Sequence, residues 1–311
     1  MNLATLKFVV DLAQDELNTS VLPKSRPANA VRVTFQGKHY KVRRYRNEAE
    51  AQKQAGFVES LVPLGVFAGF YGQVKEFLVF PYIEPGIHGR YTPLGGQLYA
   101  IGQVLGKINS ITAGPVDIDR QFQDWLQCIS RKGIISKYAM RRAIRAFQEA
   151  KPSKLEFCLE HWDIVPWNFV HTSDQTFLID EKQLWVSVRG TALIKPKFIL
   201  QECEFNELLA GYSATADVQY FLENQKFLRL LYTVFWLHRY ALREYFELPS
   251  LKHARFREIN NCFISQVCPS LPRRWYERMH LYVNSDCPGS IKSGISRTRL
   301  GHFFRLRKQS V

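Results

Sequence analysis

Four polar side chains that could do chemistry lie close together in an otherwise apolar stretch, namely His161, Asp163, Asn168 and Asp180. A buried carboxylate destabilises a fold unless a partner compensates it, so these groups are either paired or hold a metal. Transfer of a phosphoryl group from ATP needs a carboxylate that receives the acceptor's proton and oxygen ligands that hold Mg²⁺. The spacing H-x-D-x-x-x-x-N, with a later Asp after a short hairpin, fits both needs.

The spacing also predicts a role for each residue. Asp163 is predicted to orient and deprotonate the acceptor hydroxyl, and Asn168 and Asp180 are predicted to bind Mg²⁺. His161 belongs to the same catalytic loop, where we expect a hydrogen bond from its ring to hold the loop in place. ATP and Mg²⁺ are therefore the expected cofactors, and a small molecule with a hydroxyl group is the expected acceptor.

The elements that must position these residues follow from hydrophobic periodicity. Alternation over residues 30–45 predicts an antiparallel hairpin that turns near Gly37. Good helix formers predict a helix over residues 47–62. Two further strands are predicted over residues 66–72 and 76–83, before Pro85 and Gly86 break the pattern.

Beyond Gly96 the pattern becomes helical, interrupted only by two short apolar runs, "NFVHT" and "TFLID". We therefore predict an α+β protein with a small antiparallel sheet before a mainly helical part. The predicted divisions are an N-terminal lobe over residues 1–86 with a hinge at its end, a helical lobe over 87–286 and a basic tail over 287–311.

The segments "HWDIVPWN" and "LID" resemble the motifs of the aminoglycoside phosphotransferase and choline kinase group, a small-molecule branch of the protein-kinase-like fold. The order of elements over residues 20–245 is similar as well. The resemblance implies a two-lobe fold in which the N-terminal sheet lobe binds ATP. It also implies phosphotransfer to an alcohol group, with Asp163, Asn168 and Asp180 at the positions of the family's functional residues.

The sequence departs from the family pattern at several positions. Trp162 replaces the family's glycine and Trp167 a small residue, so either indole could narrow the acceptor pocket or stack on a ring. The continuation "IDEK" gives the match no extra support. The loop "LPKSRPANA", expected to cover the ATP phosphates, contains no glycine, and Lys24, Ser25 and Arg26 could substitute through side-chain contacts.

The resemblance further implies a nucleotide-binding cation on the second hairpin strand and a carboxylate partner on the following helix. Lys41 and Arg43 share a face of the strand, so both remain candidates, with Arg43 matching the family pattern. Glu48 is the first candidate partner and Glu50 the second. The hinge that meets adenine is predicted at three consecutive residues, Pro81, Tyr82 and Ile83.

Composition limits the partners and the compartment. The sequence has 42 Lys and Arg against 28 Asp and Glu, a net charge of +14, which favours a neutral or anionic acceptor over a polycation. Its six cysteines form no C-x-x-C pair, and we find no signal peptide or membrane span. We therefore expect a cytoplasmic protein, with a peripheral position at the inner face of a membrane as an alternative.

Three hypotheses about function remain open at this stage. The first is a small-molecule kinase, with a sugar or a lipopolysaccharide-core sugar among its candidate acceptors. The second is a pseudokinase that binds nucleotide or a partner without turnover. The third, which we favour less because no nucleic-acid-binding module is visible, is a basic nucleic-acid-binding protein. The basic tail could contact an anionic membrane surface, although a solvated terminus is the simpler interpretation.

Overall fold

The computed structural model of the protein describes residues 1–19, 30–84, 96–165, 168–242, 259–260 and 262–267. The chain divides into two units, Met1–Ile118 with Lys151–Tyr232 and Asp119–Ala150 with Thr233–Val311. The predicted lobe boundaries at residues 86 and 286 and the basic tail lie outside the described residues. The lobe divisions therefore stay predictions.

An antiparallel sheet of four strands forms the N-terminal half of the first unit, in the order β1-β2-β4-β3. The strands are β1 Ala30–Phe35, β2 Lys38–Arg44, β3 Gly72–Val74 and β4 Phe77–Pro81. Gln36 and Gly37 connect β1 to β2 with φ of 48° and 69°, as a two-residue hairpin turn requires. The predicted hairpin is thus confirmed, whereas the strand predicted over residues 66–72 is wrong because regular pairing begins only at Gly72.

Strand β2 separates apolar from charged side chains by simple alternation. Tyr40 and Val42 are buried in a core cluster with helix α1, Leu3–Thr19, which sequence analysis did not predict. Lys41 and Arg43 alternate with them and therefore lie on the other face of the sheet. The packing of the apolar face of β2 therefore fixes the position of the charged face.

Helix α2, Glu48–Leu61, begins after Asn47, whose side chain accepts a hydrogen bond from the backbone N–H of Glu50. Its buried face consists of Ala51, Gln54, Ala55, Val58 and Leu61. Glu48, the first candidate partner of the strand cation, does not lie on this face, because it is exposed in the first turn. Gln54 lies inward instead, and its Nε2 donates to the carbonyl of Leu184 at 3.1 Å.

The remaining strands form two antiparallel pairs, and the rest of the described chain is mainly helical, which confirms the predicted α+β class. In chain order these elements are α3 Gln97–Asn109, α4 Ile118–Arg131, α5 Lys137–Ala150, β5 Phe157–His161, β6 Phe169–His171, β7 Thr176–Leu178, β8 Leu184–Val188, α6 Ile194–Ile199, α7 Glu202–Ser213 and α8 Gln219–Leu242. Strand β5 pairs with β8, and β6 pairs with β7. Of the helices described, none combines the length and hydrophobicity needed to cross a membrane.

The second unit contains most of α4, all of α5 and the end of α8. Phe122 and Phe147 stack with ring centroids 4.0 Å apart and join α4 to α5. The guanidinium Nε of Arg142 donates to the carbonyl of Val267 at 3.1 Å. Apolar stacking and this bond hold the described part of the unit together.

Helices α3 and α7 approach each other closely because glycines line their contact. A Cβ atom at Gly102 would overlap the carbonyl of Leu208, and one at Gly211 would overlap the carbonyl of Tyr99. Side chains at these positions would force the two helices apart. The absence of a side chain is therefore a packing requirement here.

We predict that Gly211→Ala destabilises the protein by about 3 kcal/mol or more, because the overlap is with backbone that cannot rotate away. Gly56→Ala is the matched control, since a Cβ at this α2 position meets nothing within 4 Å. That variant should be neutral or more stable by about 0.5–1 kcal/mol. Urea denaturation of the full chain measures both, and equal stability of the two variants would contradict the packing argument.

Glu160 is a fully buried carboxylate on β5 that holds the turn after β8. Its Oε1 accepts the backbone N–H of Gly190 at 2.5 Å, and its Oε2 accepts that of Ala192 at 2.9 Å. Burial raises the pKa of Glu160 to about 7, against the opposing effect of these two hydrogen bonds. The carboxyl group is thus more easily protonated in the folded protein than in the unfolded chain.

The raised pKa of Glu160 predicts a pH dependence of stability. Between about pH 4.5 and pH 7 the unfolded chain ionises Glu160 while the folded protein keeps it protonated, so the free energy of unfolding falls as pH rises, by about 3 kcal/mol in total. Glu160→Gln removes this titration. Urea denaturation from pH 4.5 to 8 should therefore show the variant gaining stability relative to wild type, while the exposed control Glu149→Gln runs parallel to wild type. Parallel curves for Glu160→Gln would refute the assignment.

Candidate active site

Three strand ends bring the predicted catalytic residues together. Strand β5 ends at His161, and Asp163 follows in the next loop. Asn168 stands directly before β6, and Asp180 follows the end of β7. The backbone N–H of Ile179 donates to the carbonyl of Asn168 at 2.8 Å, which joins the two ends of the β6–β7 hairpin.

His161 ties the end of strand β5 to the end of the β6–β7 hairpin. Its side chain is fully buried, and its Nε2 lies 2.6 Å from the carbonyl oxygen of Asp180. Because that oxygen can only accept, the ring carries its proton on Nε2 and donates. Burial lowers the pKa of His161, against the raising effect of the Asp180 charge, and favours the neutral ring. The imidazole is placed to hold the backbone of Asp180.

Asn168 makes the second cross-connection. Its side-chain Nδ2 donates to the carbonyl oxygen of Asp163 at 2.7 Å. The donating nitrogen is thereby used, and the carbonyl Oδ1 is the atom left to bind a cation. Asn168 and Asp180 both line a cavity of about 330 Å³ that Lys41 and Arg43 also line.

The two cations on β2 share one buried carboxylate, that of Glu181. Lys41 Nζ lies 2.6 Å from Glu181 Oε2, and Arg43 Nε lies 2.6 Å from Glu181 Oε1. Arg43 also contacts Asp180 through Nη2 at 3.0 Å. Tyr45 donates its hydroxyl to Glu181 Oε1 at 3.1 Å. Glu181 is therefore the counter-ion of the cation pair, a role that sequence analysis did not assign to it.

Burial and charge act in opposite directions within this cluster. Burial alone would raise the pKa of Glu181, but Arg43 and Lys41 together lower it to about 2. Burial lowers the pKa of Lys41 and the neighbouring Arg43 lowers it further, while Glu181 opposes both. Arg43 stays charged at all relevant pH values. Of the two cations that share the carboxylate, Lys41 is therefore the one whose pKa is lowered.

The predicted partners on α2 are not brought to these cations. Glu50 accepts the backbone N–H of Arg46 at 3.3 Å, and Glu48 is exposed at the start of the helix. The ion pairs of Arg43 among the described residues are with Asp180 and Glu181. Arg26, Lys24 and Ser25 lie outside the described residues.

The three predicted hinge residues line the cavity beside Phe80 and Leu178. Pro81 has no backbone N–H, and the N–H of Tyr82 already donates to the carbonyl of His39 at 3.1 Å. Ile83 is thus the residue of this segment whose backbone N–H can donate to a bound ring. Apolar walls with a few polar backbone groups are typical of small-molecule sites.

Trp162 packs against another aromatic side chain of the protein. Its side chain is buried and stacks on Tyr232, with ring centroids 6.2 Å apart. The two roles expected for Trp162, narrowing an acceptor pocket or stacking on a ring there, stay predictions. Trp167 lies outside the described residues.

Asp163 has a close charged neighbour that sequence analysis missed. Lys195 of α6 contacts the Asp163 carboxylate through Nζ, with side-chain exposures of 5% for Lys195 and 27% for Asp163. Lys195 stands 32 positions along the chain from Asp163, so no local spacing signals the pair. A lysine in the apolar segment "TALIKPKFIL" was the available clue.

The donor set at this site fits Mg²⁺ that is bound together with phosphate oxygens. Asn168 Oδ1 and the Asp180 carboxylate are oxygen ligands, as Mg²⁺ prefers, and both residues line the same cavity. The described residues contain no group of three or more His, Cys, Asp or Glu side chains that could enclose a metal. Mg²⁺ commonly completes its shell with water and substrate phosphates, so these two residues meet its requirement from the protein.

Comparisons with known proteins bear on the fold. Neither a protein-family model nor a curated protein sequence matches the chain. Solved structures match it over most of its length. Choline kinase LicA from Streptococcus pneumoniae aligns with a TM-score of 0.61 at 14% identity, covering 83% of this chain and 99% of its own.

Two other small-molecule kinases give similar results. Plasmodium vivax ethanolamine kinase has a TM-score of 0.56 at 11% identity, covering 88% of this chain and 91% of its own. Spectinomycin phosphotransferase in an AMP-bound complex has a TM-score of 0.53 at 14% identity, with coverages of 78% and 91%. At identities this low, the structural matches show a common fold and no more. This common fold agrees with the resemblance of the sequence motifs. The chain therefore has the protein-kinase-like fold of the choline kinase and aminoglycoside phosphotransferase structures.

Proposed function

We propose that the protein transfers the terminal phosphoryl group of ATP, with Mg²⁺, to a hydroxyl group of a small molecule. The observation that carries the proposal is a pair of hydrogen bonds, from Asn168 to Asp163 and from His161 to Asp180, at a cavity lined by Asn168, Asp180 and two cations. This arrangement brings together a proton acceptor, oxygen ligands and phosphate-binding charges. Phosphoryl transfer needs little else from a protein, because positioning and charge supply most of the rate.

Asp163 receives the proton of the acceptor hydroxyl in this proposal. Its carboxylate is partly exposed, so an acceptor can reach it, and Asn168 fixes its backbone through the 2.7 Å hydrogen bond. His161 does not exchange protons with substrate here, because its Nε2 proton is held by the carbonyl of Asp180. His161 acts as a positioning residue for Asp180.

The walls of the cavity would bind the nucleotide. Lys41 and Arg43 would contact phosphate oxygens, and the backbone from Pro81 to Ile83 would meet adenine. Asn168 and Asp180 would hold Mg²⁺, which neutralises phosphate charge when bound. The AMP-bound spectinomycin phosphotransferase, which has the same fold, supports a nucleotide site.

The acceptor in this proposal is neutral or anionic, with sugars among the candidates, because the chain carries a net charge of +14. Dependence on ATP agrees with a cytoplasmic location. Cys128, Cys158 and Cys203 are free thiols, as is usual in a reducing compartment.

We predict that Asp163→Asn lowers turnover by about 10²–10⁴-fold, since removal of a general base has this effect. MgATP affinity should stay within about twofold of wild type, because Asp163 does not line the cavity. ADP release and calorimetry measure the two quantities, with the exposed Asp174→Asn as control. Full turnover in Asp163→Asn would refute the assignment, and MgATP binding without turnover in wild type would favour the pseudokinase.

We predict that Glu181→Gln weakens MgATP binding by about tenfold or more. The change leaves Lys41 and Arg43 buried without their shared counter-ion, and breaking a buried ion pair commonly destabilises a protein by about 3–5 kcal/mol. Glu48→Gln and Glu50→Gln are matched controls that should bind MgATP like wild type. Calorimetry on the four proteins decides between Glu181 and the α2 glutamates as the partner of the cations. Weaker binding in a control than in Glu181→Gln would contradict the structural assignment.

A further inference from the structure

Lys195 differs from an ordinary surface lysine in its burial and its contact. Its side chain is 5% exposed, and its Nζ contacts the carboxylate of Asp163. A buried ammonium group requires compensation, so the charge is placed here by the fold. Lys197, two residues later, is exposed, contacts Gln225 and lies over aromatic rings. Helix α6 thus carries one buried lysine, Lys195, and one exposed lysine, Lys197.

The backbone leading to Lys195 is fixed by several independent bonds. Glu160 accepts the N–H groups of Gly190 and Ala192, as described above. The Thr191 hydroxyl donates to the carbonyl of Val188 at 2.6 Å, and Gly190 has a φ of 82°. The turn between β8 and α6 therefore has little freedom. A fully buried carboxylate one position before His161 in the chain holds the segment that delivers Lys195.

We propose that Lys195 takes part in the phosphotransfer by balancing the charge of Asp163 and by disfavouring acceptors with a positive charge beside the reacting hydroxyl. The inference rests on the proposed function. As the bond between the acceptor oxygen and the γ-phosphorus forms, the bond to the bridging oxygen of ADP breaks and the hydroxyl proton passes to Asp163. Lys195 keeps its proton throughout.

Electrostatics give the reason for this role. The phosphoryl group and the Asp163 carboxylate are both negative and must approach each other during transfer. A cation in contact with Asp163 offsets that repulsion, and a preorganised cation in a partly buried site does so more strongly than solvent. Lys195 contacts the carboxylate through its oxygen Oδ1. A cationic acceptor would be repelled by the same ammonium group.

The first test uses a probe that needs no acceptor. Full-length wild type, Lys195→Met, Lys195→Arg and Lys197→Met are titrated with MgADP, alone and with aluminium fluoride, which mimics the transferred phosphoryl group. We expect Lys195→Met to bind MgADP like wild type but the aluminium fluoride complex about tenfold more weakly or worse. Lys195→Arg should recover much of that loss, and Lys197→Met should match wild type.

The outcomes separate this inference from the proposed function. If wild type does not bind MgADP, the proposed function fails. If wild type binds it and Lys195→Met binds the aluminium fluoride complex equally well, the role of Lys195 is refuted while the nucleotide site stands.

The second test addresses the acceptor. ADP release above the background without acceptor is measured with choline and with its uncharged analogue 3,3-dimethylbutan-1-ol at equal concentration. Wild type should be faster with the uncharged alcohol, and Lys195→Met should reduce that preference. Equal rates in wild type, including no stimulation by either, or a preference for choline would overturn the acceptor part of the inference.

Discussion

One buried carboxylate, that of Glu181, holds together the side of the candidate site that we propose binds nucleotide. It binds Lys41 and Arg43 on β2 and accepts the hydroxyl of Tyr45, which follows that strand. Because Glu181 follows Asp180 directly, the contact that fixes the cations also fixes the predicted Mg²⁺ ligand. Without this carboxylate, Lys41 and Arg43 would lose the counter-ion that compensates their burial. The fold is therefore most stable when both cations stay in contact with Glu181.

The side of the site that carries the proposed catalytic residues is stabilised by main-chain acceptors. The ring of His161 donates to the carbonyl of Asp180, and the amide of Asn168 donates to the carbonyl of Asp163. The carboxylates themselves are left to Arg43 and Lys195. His161 Nε2, Asn168 Nδ2 and the carboxylates of Asp163 and Asp180 thus have partners in the fold. In Asp163 and Asp180 the main-chain carbonyl accepts the hydrogen bond that orders the site, and the side-chain carboxylate is the group proposed to act in the reaction.

Local patterns in the sequence predict the part of the site that depends on local spacing. Asp163, Asn168 and Asp180 lie within one strand-loop-hairpin segment, and Lys41 and Arg43 share a strand face by alternation. Glu181 and Lys195 could not be found in this way, because their partners are far away in the chain. Glu48 was the first candidate partner on α2, but the helix begins at that residue and leaves it exposed. Which carboxylate meets a buried cation is decided by tertiary packing.

The position of Glu181 determines which movements of the chain could break the ion pairs of Lys41 and Arg43. A carboxylate on a helix can be withdrawn by moving that helix, as in kinases that are regulated through such an ion pair. Here α2 places the uncharged Gln54 on its buried face, where it donates to the backbone of Leu184. The counter-ion instead belongs to the segment that carries Asp180. Displacing α2 would therefore leave the ion pairs of Lys41 and Arg43 in place, and separating them requires movement of β2 against the Asp180–Glu181 segment itself.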